Sequence, residues 1–268
     1  MLPEPVSQAF SRCGIPAYGA CRLSDVLPLL DCRAAQRVPR NAQSVLTALF
    51  PYRLPAYSSG RNLSKYAVVP DYHRVALELL DRVCVRLAQV WPSESFVSFA
   101  DNSPIREVRA AWLSGLGVIG DNGLLLHPVY GSYVFIGEIV TTLYVEPGRP
   151  METGCLHCGA CSRFCPGGAV REGVVCTARC VSHITQKKGE LTAEEQALIK
   201  KGGLLWGCDV CSDVCPMNRG SLPTSLPEFL RDIGETADLS LTSRQLRERA
   251  YGFRGKAVLE RNAAILEE

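Results

Sequence analysis

The sequence predicts a mixed α/β (α+β) chain in which an N-terminal segment of helices and strands precedes a cysteine-rich segment and a helical tail. Three observations carry that prediction. Two cysteine runs crowd into residues 155–216. A long amphipathic pattern covers residues 72–90, flanked by strand-like stretches. Pro223 and Pro227 then punctuate the entry to a tail of helical character. The segment boundaries are set at 1–148, 149–220 and 221–268.

Residues 4–50 open with a helical pattern and close on Ser44-Val-Leu-Thr-Ala-Leu-Phe50. That apolar run lies between Pro39 and Pro51 and reads as a buried strand. Cys13, Cys21 and Cys32 follow no ligand spacing and read as small core residues, as does Cys84 further on. Residues 52–65 have a loop composition. From Tyr72 to Val90 a helix is expected, with Val75, Leu79, Leu80, Val83, Leu87 and Val90 on one face. At its start, Asp71-Tyr-His73-Arg-Val-Ala76 approaches a D-x-H-x-x-G pattern through which some proteins give a histidine to cobalt. The glycine is missing, so His73 reads instead as a helix-start or pocket residue.

Residues 94–101 alternate as a strand does, and Ser103-Pro104 reads as the N-cap and first residue of a helix over 104–114. Asp101 then occupies a strand-to-helix turn. It could serve there as a catalytic group, or only as a carboxylate favoured by the helix N-terminus. Gly115-Leu-Gly117-Val-Ile-Gly120 is formally G-x-G-x-x-G, yet it follows a helix and runs into Asp121-Asn-Gly123, which is turn chemistry. A dinucleotide site is therefore rejected, and the glycines are assigned to sharp turning or close backbone approach. Strands are expected over 124–127 and 132–146. Thr192-Ala-Glu-Glu195 is a capping box that opens a helix ending at Gly202-Gly203. Gly252-Phe-Arg-Gly-Lys256 reads as a solvated basic turn.

The cysteine runs carry the chemistry. Cys155-Leu-His-Cys158-Gly-Ala-Cys161-Ser-Arg-Phe-Cys165-Pro166 is a complete C-x2-C-x2-C-x3-C-P pattern, in which three thiolates hold one [4Fe-4S] cluster and the fourth ligates a second. Cys208-Asp-Val-Cys211-Ser-Asp-Val-Cys215-Pro216 supplies three more, with Leu205 where another ligand would be expected. Two cubanes need eight thiolates, and the eighth must come from Cys176 or Cys180. Paired runs of this kind fit two ferredoxin-like clusters far better than a tetrahedral zinc site. Disulfides are disfavoured because the N-terminus, Met1-Leu-Pro-Glu-Pro, carries no secretory pattern.

With 47% hydrophobic and 21% charged residues, and a net charge of +2, the composition is that of an ordinary soluble globular protein. It points globally to neither nucleic acid nor membrane. The longest apolar stretch, near 124–145, is broken by His127, Pro128, Gly131, Gly137 and Glu138, so no membrane span is expected and the cytoplasm is the expected compartment.

Several stretches taken together resemble the epoxyqueuosine reductase family over roughly residues 35–265. They are Asp101-Asn-Ser-Pro-Ile, Gly115-Leu-Gly-Val-Ile-Gly-Asp-Asn and His127-Pro-Val-Tyr-Gly-Ser-Tyr-Val-Phe-Ile-Gly-Glu-Ile-Val. Lys65-Tyr-Ala, Asp71-Tyr-His73, Cys180-Val-Ser-His-Ile-Thr-Gln-Lys-Lys-Gly189, Trp206-Gly-Cys208 and Arg261-Asn-Ala-Ala-Ile265 are similar too. The resemblance implies a nitroreductase-like cobalamin and substrate domain over 1–148 and a ferredoxin-like double [4Fe-4S] domain over 149–220, with 221–268 as a C-terminal helical extension. It also implies a monomer that takes electrons from a flavodoxin- or ferredoxin-type donor, passes them to cobalamin, and reduces epoxyqueuosine in the tRNA anticodon loop. The family's acid falls on Asp101, which must keep its proton near neutral pH through burial. The family's lone cluster cysteine falls on Cys180, implying Cys155, Cys158, Cys161 and Cys215 for one cluster and Cys165, Cys180, Cys208 and Cys211 for the other. Tyr66, His73, Asn122, Ser132 and Gln186 fall in cofactor-facing stretches.

Two departures bear on the RNA. Asp121 stands where the family usually has Lys, and the sequence stops at Glu268, before the helical repeats that help full-length members grip tRNA. The alternatives kept open are a corrinoid-dependent reductase of a small molecule and a non-catalytic iron–sulfur electron-transfer module.

Overall fold

The computed structural model describes residues 2–171 and 173–268, which divide into two compact units. The first comprises Met1–Pro51, His73–Ile119 and Leu124–Cys155. Its elements are α1 (Glu4–Arg12), β1 (Ala17–Arg22), β2 (Ser44–Pro51), α2 (Tyr72–Val90), β3 (Phe96–Ala100), α3 (Glu107–Leu113), β4 (Val118–Ile119), β5 (Leu125–Leu126) and β6 (Val134–Thr141). Four strands form an antiparallel sheet in the order β1-β2-β6-β3, while β4 and β5 pair separately.

Every residue of β2 is buried, which explains why its sequence is a continuous apolar run rather than an alternation. Directly paired residues share a face, so Gly19, Thr47, Glu138 and Phe99 form one row across the sheet. On that face α3 closes the core through two groups of side chains. One joins Cys21, Val45, Phe99, Ile105, Ala110 and Val140; the other joins Ala17, Leu49, Ala111, Leu116, Leu125 and Ile136. On the opposite face α2 lies close enough that a Cβ on Gly137 would stand 2.8 Å from Leu80 Cδ1 and 3.2 Å from a Phe50 ring carbon. Gly137 is therefore glycine for close approach.

The second unit comprises Tyr52–Tyr72, Gly120–Gly123 and Leu156–Glu268. It contains α4 (Ala160–Phe164), the short ladder of β7 (Val170–Arg171) with β8 (Val174–Val175), α5 (Ala193–Gly202) and α6 (Lys256–Glu267), together with several single helical turns. The capping box at Thr192 and Glu195 is formed as expected, and α5 ends on Gly203 at φ +70°. Ile184, Leu191, Ile199 and Ile265 pack together beneath α5 and α6.

The structure corrects the sequence reading in four places. The helix expected from Pro104 starts at Glu107, because Ser103 Oγ accepts from the Ile105 N–H and so closes a local turn. The tail is less helical than expected: beyond the turns Pro227–Leu230 and Ser243–Leu246 only α6 is a sustained helix. Residues 221–268 belong to the second unit, as does Tyr52–Tyr72, so the units do not follow three consecutive segments. Finally, β1 escaped notice because its Ala-Tyr-Gly-Ala-Cys-Arg sequence has little strand propensity. Among the described residues no helix is long and apolar enough to cross a membrane.

Candidate cluster site and acid loop

In the second unit the two cysteine runs each fold as a loop leading into a short helix. Gly159 at φ +70° precedes α4, which carries Cys161, and Cys211 lies on the turn Val210–Asp213. Burial pushes the Cys208 thiol up to about 11, with the charges of Asp209, Cys180 and Cys165 adding to it. Burial likewise pushes Cys211 up to about 12, with Cys208, Cys180 and Cys165 adding and the nearby Asn122 amide opposing. Cys165 and Cys180 therefore lie within electrostatic reach of both Cys208 and Cys211. Burial raises Cys161 as well, with Cys215 among its neighbours. Cys176, the other candidate for eighth ligand, is exposed. Crowded thiols that resist ionisation alone are what a cationic iron centre relieves when it binds and displaces their protons.

Segment 52–72 supports the closing run in a way the sequence did not reveal. The buried Asp209 carboxylate accepts from Arg61 Nη1 at 2.7 Å and from the Lys65 N–H at 3.0 Å. Ser64 N donates to Trp206 O, and Leu205 N to Asn62 O. Leu205, which stands where a further ligand was sought, is thus a buried strut. Asp inside C-x-x-C gave no ligand signal, but an acidic residue between two soft ligands could have been marked as an anchor.

Tyr66 and Gln186 meet directly, with Gln186 Nε2 donating to the Tyr66 hydroxyl at 3.2 Å. Burial of that hydroxyl pushes its pKa up, so it stays a neutral donor, with Trp206, Ser182 and Ser64 around it. Asn122 is buried beside Cys211. Asp121, the residue that departs from the family pattern, pairs with His157 Nδ1 of the first cysteine run at 2.8 Å.

The first unit carries the other candidates. Asp101 follows β3 with φ +59°, a left-handed backbone that is uncommon for a residue other than glycine and marks a constrained turn. His73 Nε2, at the start of α2, lies 3.1 Å from Asp101 Oδ2. The Asp101 side chain is 53% exposed, so the burial expected of a proton-holding acid is not supplied by this unit. Ser132 is buried just ahead of β6. The Gly115–Gly120 stretch contains β4 and opens no helix: a Cβ on Gly117 would meet Leu126 O at 2.5 Å, which makes it a close-approach glycine.

The fold and the thiol array define an α+β iron–sulfur protein, and residues 154–218 match the 4Fe-4S double cluster binding domain family. The epoxyqueuosine reductase of Synechocystis is 35% identical over 70% of this chain and 68% of its own. A crystal structure of an epoxyqueuosine reductase with an epoxyqueuosine-modified tRNA-Tyr stem loop superposes with a TM-score of 0.84 at 25% identity. It covers 98% of this chain and 80% of that one. A Bacillus subtilis epoxyqueuosine reductase with its catalytic aspartate loop swung out of the active site matches with a TM-score of 0.83, at 25% identity and with coverage of 98% and 80%. The chain belongs to the epoxyqueuosine reductase family. It spans a little over half the length of several curated relatives that it matches.

Proposed function

We propose that this protein reduces epoxyqueuosine to queuosine in the anticodon loop of tRNA, holding two [4Fe-4S] clusters and a cobalamin. The reading is carried by one coincidence: a family member combines an eight-thiolate array with an acid on a constrained loop, Asp101, paired to His73. Cys155, Cys158, Cys161 and Cys215 would hold one cluster, and Cys165, Cys180, Cys208 and Cys211 the other. The influence of Cys165 and Cys180 on both Cys208 and Cys211 supports that grouping. The clusters supply electrons singly, received from a flavodoxin- or ferredoxin-type donor.

The uncharged hydroxyl and amide groups of Tyr66, Gln186 and Ser182 suit the carboxamide rim of a corrinoid, and Asn122 and Ser132 are further polar candidates for its binding. When bound, that cofactor supplies a strong reductant for a carbon–oxygen bond. Asp101 would give a proton to the departing oxygen, and His73 would hold its carboxyl group in place. Asp101 reaches solvent in the chain alone, so its shielding would come from cofactor and substrate. The protein is placed in the cytoplasm as a monomer, with no membrane partner.

The test is anaerobic purification with cobalamin supplied, followed by iron, sulfide and cobalt analysis and turnover of an epoxyqueuosine stem-loop. About eight iron atoms and one cobalt per chain are expected. Asp101→Asn should keep all of these and lose turnover. Two clusters without cobalt after reconstitution would instead favour an electron-transfer module. Cobalt with no salt-sensitive stem-loop binding would favour a small-molecule substrate.

A further inference from the structure

Two acids with no part in the proposed chemistry lie behind the Asp101 loop. Glu138 is in the interior of β6, fully buried, between Thr47 of β2 and Phe99 of β3. Neither of its carboxylate oxygens has a hydrogen-bond partner, although the Ser103 hydroxyl stands near enough to favour its charged form slightly. Glu107, the first residue of α3, sits over the same sheet face. Its Oε1 is buried without a partner, and the Asp101 backbone N–H donates to its carboxylate.

The other titratable groups facing this pair are few. Asp101 and His73 act on Glu107. Cys21 of β1 feels Glu138, and burial holds that thiol neutral, pushed up to about 11. The Arg37 guanidinium lies 4.8 Å over the Phe99 ring and spends a donor on Ser98 O. Among the described residues no cation forms an ion pair with either glutamate. Two carboxylates buried together without a counter-ion cannot both ionise, because each would pay desolvation and repel the other. Burial first, then the charge of Asp101, pushes Glu107 up to about 8. Burial and the charge of Glu107 push Glu138 well above the usual range.

The chemistry demands such a store. Converting an epoxide to an alkene and water consumes two electrons and two protons, and Asp101 carries at most one. We propose, building on the reductase reading, that Glu107 and Glu138 share the second proton and return it to Asp101 after Asp101 has spent its own. The Asp101 O–H bond breaks as an O–H bond forms on the departing oxygen. A Glu107 O–H bond then breaks as the Asp101 O–H re-forms, and a second transfer from Asp101 completes the water. The two electrons come from the cluster-bearing chain, and solvent re-protonates the pair through Asp101 once product has left. Glu107 and Glu138 act through Asp101 and touch no substrate.

The test begins without turnover. Infrared spectroscopy of the anaerobic holoprotein, labelled with 13C-carboxyl glutamate, should show a protonated glutamate carbonyl at pH 7. That band should titrate near or above pH 8, and Glu138→Gln should move its midpoint down by at least about one pH unit. Absence of any protonated glutamate at pH 7 in the wild type overturns the proposal, and this measurement needs no variant to fold. For turnover, Glu107→Gln and Glu138→Gln preparations with full iron and cobalt should lose about tenfold at pH 8 and recover toward wild type at pH 6. Wild-type pH profiles in both would also overturn the proposal. If the wild type fails to reduce the stem-loop at any pH, the reductase reading falls. The infrared titration then still decides whether the buried pair holds a proton.

Discussion

Asn262→Ala offers a test of how the C-terminal helix holds the cluster loops. Asn262 is fully buried on α6, and its Nδ2 donates to Thr185 O at 2.8 Å and to Leu205 O at 2.9 Å. Thr185 follows Cys180, and Leu205 precedes Cys208, so one side chain ties together the approaches to two of the proposed cluster ligands. Arg261 adds to the tie by donating from Nη1 to Lys187 O and Gly189 O, each at 2.7 Å. Alanine would leave two buried carbonyls without their donors, at roughly 1–3 kcal/mol apiece, or about 2–6 kcal/mol together. At some 2–4 °C per kcal/mol for a chain of this size, the melting midpoint should drop by roughly 4–24 °C. Differential scanning calorimetry of the anaerobic holoprotein would read the shift, and capture of iron by a ferrous chelator would read loosening of the cluster loops. Asn262→Asp should fare no better, since it keeps the shape but replaces a donor by an acceptor. A midpoint within about 1 °C of wild type would falsify this account, because Asn262 is the donor that both carbonyls share.

Three further outcomes are expected. Cys180→Ala should lose about half the iron whereas Cys176→Ala should keep it, as read by iron analysis after anaerobic reconstitution; equal loss in both would break the ligand grouping. Gly137→Ala should lower stability by about 1–3 kcal/mol in calorimetry, because its Cβ would crowd Leu80 and Phe50. For pH, Glu107 in the folded chain holds its proton up to about 8 whereas an unfolded glutamate loses it near 4.5. The folded state therefore binds more protons across that window, and stability should fall as pH rises from about 5 to 8.5. At 1.36 kcal/mol per unit the upper bound is about 5 kcal/mol, and Glu138→Gln should flatten the slope of melting midpoint against pH.

What could be read in advance depended on how local the determining physics was. Ligand spacing is local, so the cysteine runs announced a double-cluster segment that the domain match bears out. The amphipathic helix over 72–90 and the capping box at Thr192 were legible for the same reason, and both stand where expected. Strand β1 was not, because its small residues are chosen by contacts with β2 and with Ser114 rather than by strand propensity. Asp209, Asn62 and Asn262 were missed because each serves backbone groups that are distant in sequence. Glu138 is the sharpest instance. In the sequence it only interrupts an apolar run and argues against a membrane span. In the fold it is a fully buried acid that, among the described residues, forms no ion pair with a cation, in the row that faces α3. A residue so costly to bury, placed behind a loop where an aspartate takes a left-handed backbone, is better explained by a proton it must hold than by any packing it provides.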